Sequence, residues 1–144
     1  MSEKLVLVID DDATVSNAVK LLLNAYGIRS DVLMFLRAED PFEGGMIHGY
    51  RHDGSEAVLD PILYAVALLD GDLPDGPQGY DIVRELRAST EIICVGISGN
   101  MESARKQKEA GAHEVQMKPI PPRWLGENLP RLFKMHRDAV AGSA

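Results

Sequence analysis

The strongest constraint in this sequence is a series of short apolar runs, several of them ended by a charged or hydroxyl side chain. Leu5–Ile9 is wholly apolar and stops at three consecutive aspartates, Asp10, Asp11 and Asp12. Further runs fall at residues 31–36, 63–69, 92–97 and Glu114–Met117. A strand covered on both faces of a parallel sheet reads as a continuous apolar stretch rather than as an alternation. Between the runs the spacing turns helical. Residues 13–26 carry Val15, Val19, Leu22, Leu23 and Tyr26 on one face, with Gly27 as the stop, and residues 80–87 and 102–110 repeat the pattern. This βα alternation predicts a mainly parallel sheet with helices on both faces and a ligand site beyond the carboxyl ends of the strands.

Two stretches fit this scheme less simply. Residues 122–140 have Trp124, Leu125, Leu129, Leu132, Phe133 and Val140 at roughly helical spacing, with Pro122 suited to a first turn. Pro130 lacks an N–H and crowds the preceding turn, which predicts a kink over residues 127–129 or two shorter helices. Residues 37–61 hold Gly44, Gly45, Gly49, Gly54, Pro41 and Pro61. Two readings fit there: residues 46–58 as a hairpin turning at Asp53-Gly54, or residues 55–60 as a helical stub capped by Ser55.

The length of 144 residues suits one domain, and 45% apolar with 26% charged residues suits a globular one. With a formal net charge of -7 and no basic run, the chain lacks the means for a sequence-independent grip on nucleic acid. Cys94 is the only cysteine and sits inside an apolar run, so it is expected to be a buried, inert thiol in a reducing, cytoplasmic setting. The first apolar run is too short for an export signal or a membrane span.

The chemistry-bearing residues collect at the run ends. Adjacent carboxylates at Asp10, Asp11 and Asp12 repel one another unless a cation is present. Mg2+ prefers oxygen ligands and takes only one or two carboxylates, leaving room for water and phosphate. The plainer role for Asp12 is to cap the first helix. Asp70 ends the run before it and so emerges at the same sheet edge, where a carboxylate can ligate metal or act as a nucleophile that forms an aspartyl phosphate. Ser98 and Lys118 follow the next two runs. Phosphoryl transfer needs neutralisation of the equatorial oxygens, which a metal, a hydroxyl and a lysine supply together. His48, His52, His113 and His136 show no paired metal spacing and are read as surface or loop residues. Trp124 is read as core rather than recognition surface.

At these residues the chain resembles the response-regulator receiver domains of two-component signalling, the CheY-like superfamily. The segments that carry the resemblance are VLVIDDD at 6–12, LLDGDLP at 68–74, GISGN at 96–100 and GAHEVQMKPI at 111–120. The resemblance implies a flavodoxin-like, doubly wound (βα)5 sheet in the order 2-1-3-4-5. It implies that Asp10 and Asp11 form the acid pocket, that Asp70 is the phosphoacceptor, and that Ser98 and Lys118 contact the phosphoryl group. Asp72 falls where a backbone carbonyl completes the Mg2+ site. The expected phosphodonor is a histidine kinase, a histidine phosphotransfer protein or a small phosphodonor, and the expected product is a switched surface for a downstream effector protein. Such a switch is not an enzyme on a diffusible substrate. Residues 1–144 are then a single receiver domain with no output domain, since only residues 141–144 follow the last helix, and no nucleic-acid binding or membrane insertion is expected.

Three departures qualify the resemblance. The spacing from Asp11 to Asp70 exceeds the family's by about a dozen residues, which places a loop-rich insertion at 37–61, between the second and third strands of the sheet. Val115 stands where the family's switching aromatic is expected. The helix over 102–110 has a thin apolar face of Met101, Ala104 and Ala110, which suits a movable element. Two competing readings remain: a haloacid-dehalogenase-like phosphohydrolase, on Asp70-Gly71-Asp72 as a nucleophile and acid pair, and a receiver fold that binds a partner without being phosphorylated. The first fits poorly, because the acidic cluster precedes the nucleophile and only Glu127 and Asp138 follow Lys118.

Overall fold

Continuous apolar runs become strands with no exposed face. In the computed structural model, which describes residues 5–143, Leu5–Ile9 forms β1 with all five residues buried. The N-terminal residues read above as lacking an export signal lie partly outside the described ones. After β1 come α1 (Ala13–Ala25) and β2 (Arg29–Leu33), followed by three short strands, β3 (Phe35–Leu36), β4 (Ile47–Tyr50) and β5 (Glu56–Leu59). The chain continues through β6 (Tyr64–Asp70), α2 (Gly79–Ser89), β7 (Ile93–Ser98), α3 (Met101–Glu109), β8 (Glu114–Met117) and α4 (Pro122–Ser143).

The main sheet runs β2-β1-β6-β7-β8 with every pair parallel. Counting its own strands in chain order, this is 2-1-3-4-5, the flavodoxin-like order expected. Side chains alternate between two cores. Leu5, Leu7 and Ile9 face Ile82, Val83 and Leu86 of α2 on one side, whereas Val6 and Val8 face Leu23 of α1 and Leu125, Leu129 and Leu132 of α4 on the other. α3 packs beside α2 against β7 and β8. No helix among the described residues is long and apolar enough to cross a membrane.

The run at 31–36 does not form one strand. The chain leaves the main sheet after Leu33, where Met34 N–H donates to Tyr50 O, and β3 starts a second, antiparallel sheet in the order β3-β4-β5. Of the two readings of residues 46–58, the hairpin is the one formed: β4 pairs with β5 from Ile47–Leu59 to Tyr50–Glu56. Its turn is closed by Arg51 N–H to Ser55 O, with Gly54 at a φ of +88°. Ser55 caps no helix, since its backbone N–H and its hydroxyl both donate to the Asp53 carboxylate. Leu36 of β3, Ile47 of β4 and Ala57 of β5 bury this second sheet in the same core as Leu7 and Leu33.

α4 is one helix, not two, and Pro130 lies inside it. Leu125 and Leu129 before the proline and Leu132 and Phe133 after it are buried on the same face. That shared packing outweighs the single hydrogen bond that Pro130 removes. α3 departs from its expected apolar face more sharply. Met101 is 76% exposed, and the residues that α3 buries are polar, Ser103 and Gln107. α1 buries Leu23 fully but leaves Val15 and Tyr26 exposed, so part of its apolar face has no cover.

Candidate active site

Five of the residues singled out in the sequence stand at the carboxyl ends of β1, β6, β7 and β8. Asp10 and Asp11 follow β1, Asp70 closes β6, Ser98 closes β7 and Lys118 follows β8. Parallel pairing in register brings these ends together, with Ile9 opposite Leu69, Asp70 opposite Ile97 and Ser98 opposite Met117. Asp10, Asp11 and Asp70 each offer a carboxylate oxygen within 4.8 Å of the others. Lys118 Nζ lies 3.2 Å from Asp70 Oδ2 and 3.6 Å from Asp10 Oδ2.

The backbone holds the acids apart in function. Asp10 Oδ1 accepts from Asp12 N–H at 2.9 Å, and Asp10 O accepts from the Ser16 hydroxyl, which fixes the start of α1 against β1. Asp12 turns away and caps α1, its Oδ1 accepting from Thr14 and Val15 N–H. The acidic trio is therefore a pair plus a cap. Asp70 Oδ1 accepts from Asp72 N–H at 3.0 Å, which leaves Oδ2 facing Lys118.

Burial sets the electrostatics. Asp70 is 2% exposed, and its carboxyl is pushed up to about 7, first by loss of hydration. Its bond from Asp72 N–H opposes the rise, the carboxyls of Asp10 and Asp11 add to it, and Lys118 counters it in part. Burial also works against the charge on Lys118, but Asp10, Asp70 and Asp11 outweigh it and hold the ammonium above its ordinary value. One lysine facing three carboxylates leaves excess negative charge in a partly dry pocket. An all-oxygen set of this kind fits a hard divalent cation such as Mg2+, and Asp10, Asp11 and Asp70 are the residues that would hold it.

Ser98 is fully buried, and its hydroxyl donates to Asn100 O at 2.7 Å, while Asn100 N–H returns to Ser98 Oγ. Asp72 Oδ2 accepts from Asn100 Nδ2 at 3.1 Å, which joins the loops after β6 and β7. Lys118 N–H donates to Ser98 O, and the Lys118–Pro119 peptide is cis. An apolar groove of about 370 Å³ opens beside Asp10, Asp70 and Lys118, between Val15, Val19 and Leu22 of α1 and Ile120, Pro122 and Leu125. His113 is part of the scaffold: its Nδ1 accepts from Cys94 N–H and its Nε2 meets Arg87.

Sequence reasoning missed Asn100, Ser103 and Gln107. Asn100 caps α3 by accepting from Ser103 N–H. Gln107 is fully buried and donates to Leu69 O, next to Asp70. The available signal was Gly96, a glycine inside an apolar strand run, which marks a close approach by another group.

No family model and no curated protein matches the chain. Solved structures do. A CheY-like response regulator receiver domain protein from Methanospirillum hungatei JF-1 matches 95% of this chain and 98% of its own, at 21% identity and a TM-score of 0.71. A two-component response regulator from Clostridium difficile matches 92% and 97%, at 18% and 0.68. The BeF3-activated DrrB receiver domain matches 92% and 98%, at 28% and 0.63. Over nearly its whole length, with an antiparallel insertion after β2, this chain has the fold of the CheY-like response-regulator receiver domains.

Proposed function

We propose that the protein is a phosphoacceptor switch in two-component signalling, with Asp70 as the residue that takes the phosphoryl group. The observation that carries this reading is the placing of Asp70: buried at the end of a central strand, 3.2 Å from Lys118 and beside Asp10 and Asp11. On this reading an Asp70 carboxylate oxygen attacks phosphorus in a phosphohistidine. The new O–P bond forms as the P–N bond breaks, and the electron pair returns to the imidazole of the donor. Lys118 stabilises the negative charge on the phosphoryl oxygens, and Ser98 turns its hydroxyl from Asn100 O towards one of them. Asp10, Asp11, Asp70 and the backbone carbonyl of Asp72 would hold Mg2+ here, and the ion would supply positive charge for the remaining phosphoryl oxygens.

A histidine kinase or a histidine phosphotransfer protein is the donor in this reading, and a separate effector protein reads the result. Residues 1–144 act as one receiver unit of cytoplasmic type, with 37–61 as an insertion. The protein is then a switch and not an enzyme that turns over a diffusible substrate.

Intact mass measured after incubation with acetyl phosphate and Mg2+ tests this. The wild-type chain is expected to gain one phosphoryl group, and Asp70→Ala is expected to gain none. Labelling that survives in Asp70→Ala, or that ignores chelation of Mg2+, sinks the assignment.

A further inference from the structure

The polar interior behind β6 has no part in the phosphoryl chemistry. Gln107 of α3 is fully buried, and its Nε2 donates at 3.0 Å to Leu69 O, the carbonyl of the residue before Asp70. Glycines surround its carboxamide. A Cβ on Gly96 of β7 would stand 2.5 Å from Gln107 Oε1, and one on Gly79 of α2 would stand 2.7 Å from Nε2. Gly79 is also confined by Asp70 O, and Gly71 by the Ser103 hydroxyl, but the nearest atoms to a Cβ on Gly96 all belong to Gln107. The strand has given up a side chain to admit this one.

The carboxamide is used at one end only. Among the described residues, Gln107 Oε1 and Ser103 Oγ are buried and have no hydrogen-bond partner. Both lie within 3.1 Å of the point where a Cβ on Gly71 would stand, and they are one helical turn apart on α3. A buried acceptor without a donor is costly, and an unused hydroxyl donor lies beside it. A small shift of α3 that pairs them is a second available arrangement. Coupling between distant surfaces needs an element of this kind, with two discrete packings.

We propose that Gln107 is the positioning residue through which the state of Asp70 sets the placement of α3. Its bond to Leu69 O holds the helix against the unmodified acceptor strand. A phosphoryl group on Asp70 displaces the peptides around residues 69–71, breaks that bond and lets the carboxamide re-pair with Ser103. This rests on the phosphoacceptor reading, and it needs no aromatic side chain at Val115.

The test is amide hydrogen exchange of α3, with and without beryllofluoride and Mg2+, in three chains: wild type, Gln107→Met, and the double variant Gly96→Ala with Gln107→Ala. Methionine keeps the length without the amide, and the double variant refills the cradle from the strand side, so packing survives even if one of the two folds poorly. Wild type is expected to change its α3 exchange on adding the mimic. Both variants are expected to take the phosphoryl group on Asp70 with wild-type stoichiometry, while the α3 response falls by about two- to tenfold, the equilibrium worth of one hydrogen bond. An undiminished α3 response in the folded variants, or a labelled wild type with no response, overturns the inference. A wild-type chain that gains no phosphoryl mass removes the underlying reading as well, and mass alone tells that case apart.

Discussion

With its carboxyl pushed up to about 7, chiefly by burial, Asp70 binds its proton more tightly in the folded chain than at its ordinary value of 3.8. Between those two values the folded state holds more protons than the unfolded one, so metal-free stability falls as pH rises through that window. Below it the cost is absent. Asp70→Asn is therefore expected to be more stable than wild type at pH 8, by on the order of a few kcal/mol. The gain should vanish near pH 4, and urea unfolding of the two chains across that range reads the difference. Added Mg2+ should stabilise wild type more than Asp70→Asn. Lys118 acts from the other side, because it holds down the Asp70 carboxyl and, on the proposed reading, faces the incoming phosphoryl charge. Lys118→Ala is expected to slow labelling by acetyl phosphate by about a hundredfold or more, and a rate within twofold of wild type would remove Lys118 from the site. Asp10, Asp70, Ser98 and Lys118 were legible in the sequence because each ends or follows an apolar run. The engagement of the Ser98 hydroxyl with Asn100 was not, since it depends on a loop conformation that spacing does not specify.

Among the elements, α4 shows why a local rule can fail. Pro130 is exposed, and the apolar positions on either side of it keep one helical register, so tertiary burial decides the outcome. Pro130→Ala restores the missing donor and is expected to raise stability by about 1–3 kcal/mol. Denaturant titration gives the value, and an unchanged or lower midpoint would mean that the helix is already relaxed around the proline. In α3 the thin apolar face of Met101, Ala104 and Ala110 was legible, but the residues that anchor the helix were not: glycines after β6, in β7 and in α2 form a cradle that takes Ser103 and Gln107. Those glycines lie far apart in sequence, and no window on the helix itself contains them. The insertion was undecided for a similar reason. Asp53-Gly54 marks a turn, but the pairing of β4 with β5, and the partner for Met34 at Tyr50, are contacts that only the folded chain supplies.

Across the whole molecule the insertion is part of the domain rather than an appendage. Ile47 and Ala57 of the insertion lie in the core with Leu7, Leu33, Leu36 and Leu73, and a Cβ on Gly76, in the loop after Asp70, would stand 2.2 Å from Leu36 O, at the insertion's edge. Ile47 is 1% exposed, so Ile47→Ala is expected to cost about 2–4 kcal/mol. The loss should fall on a single transition, seen alike by Trp124 fluorescence and by far-ultraviolet circular dichroism. Separate transitions by the two probes would show that the hairpin melts alone. The parallel sheet and the edge that carries the candidate site followed from the βα alternation, which is a property of the whole chain and survives errors at any one element, whereas the strand order followed from the family resemblance.

Asp10 and Lys118 are separated by most of the sequence and meet only through the register of β1, β6, β7 and β8. If Asp70 is the acceptor, as proposed, competence to be labelled is all-or-none with folding: a fragment that lacks either end of this register is expected to carry no working acceptor. In a mixture of intact and misfolded molecules, the fraction labelled at saturation would then count the native population directly.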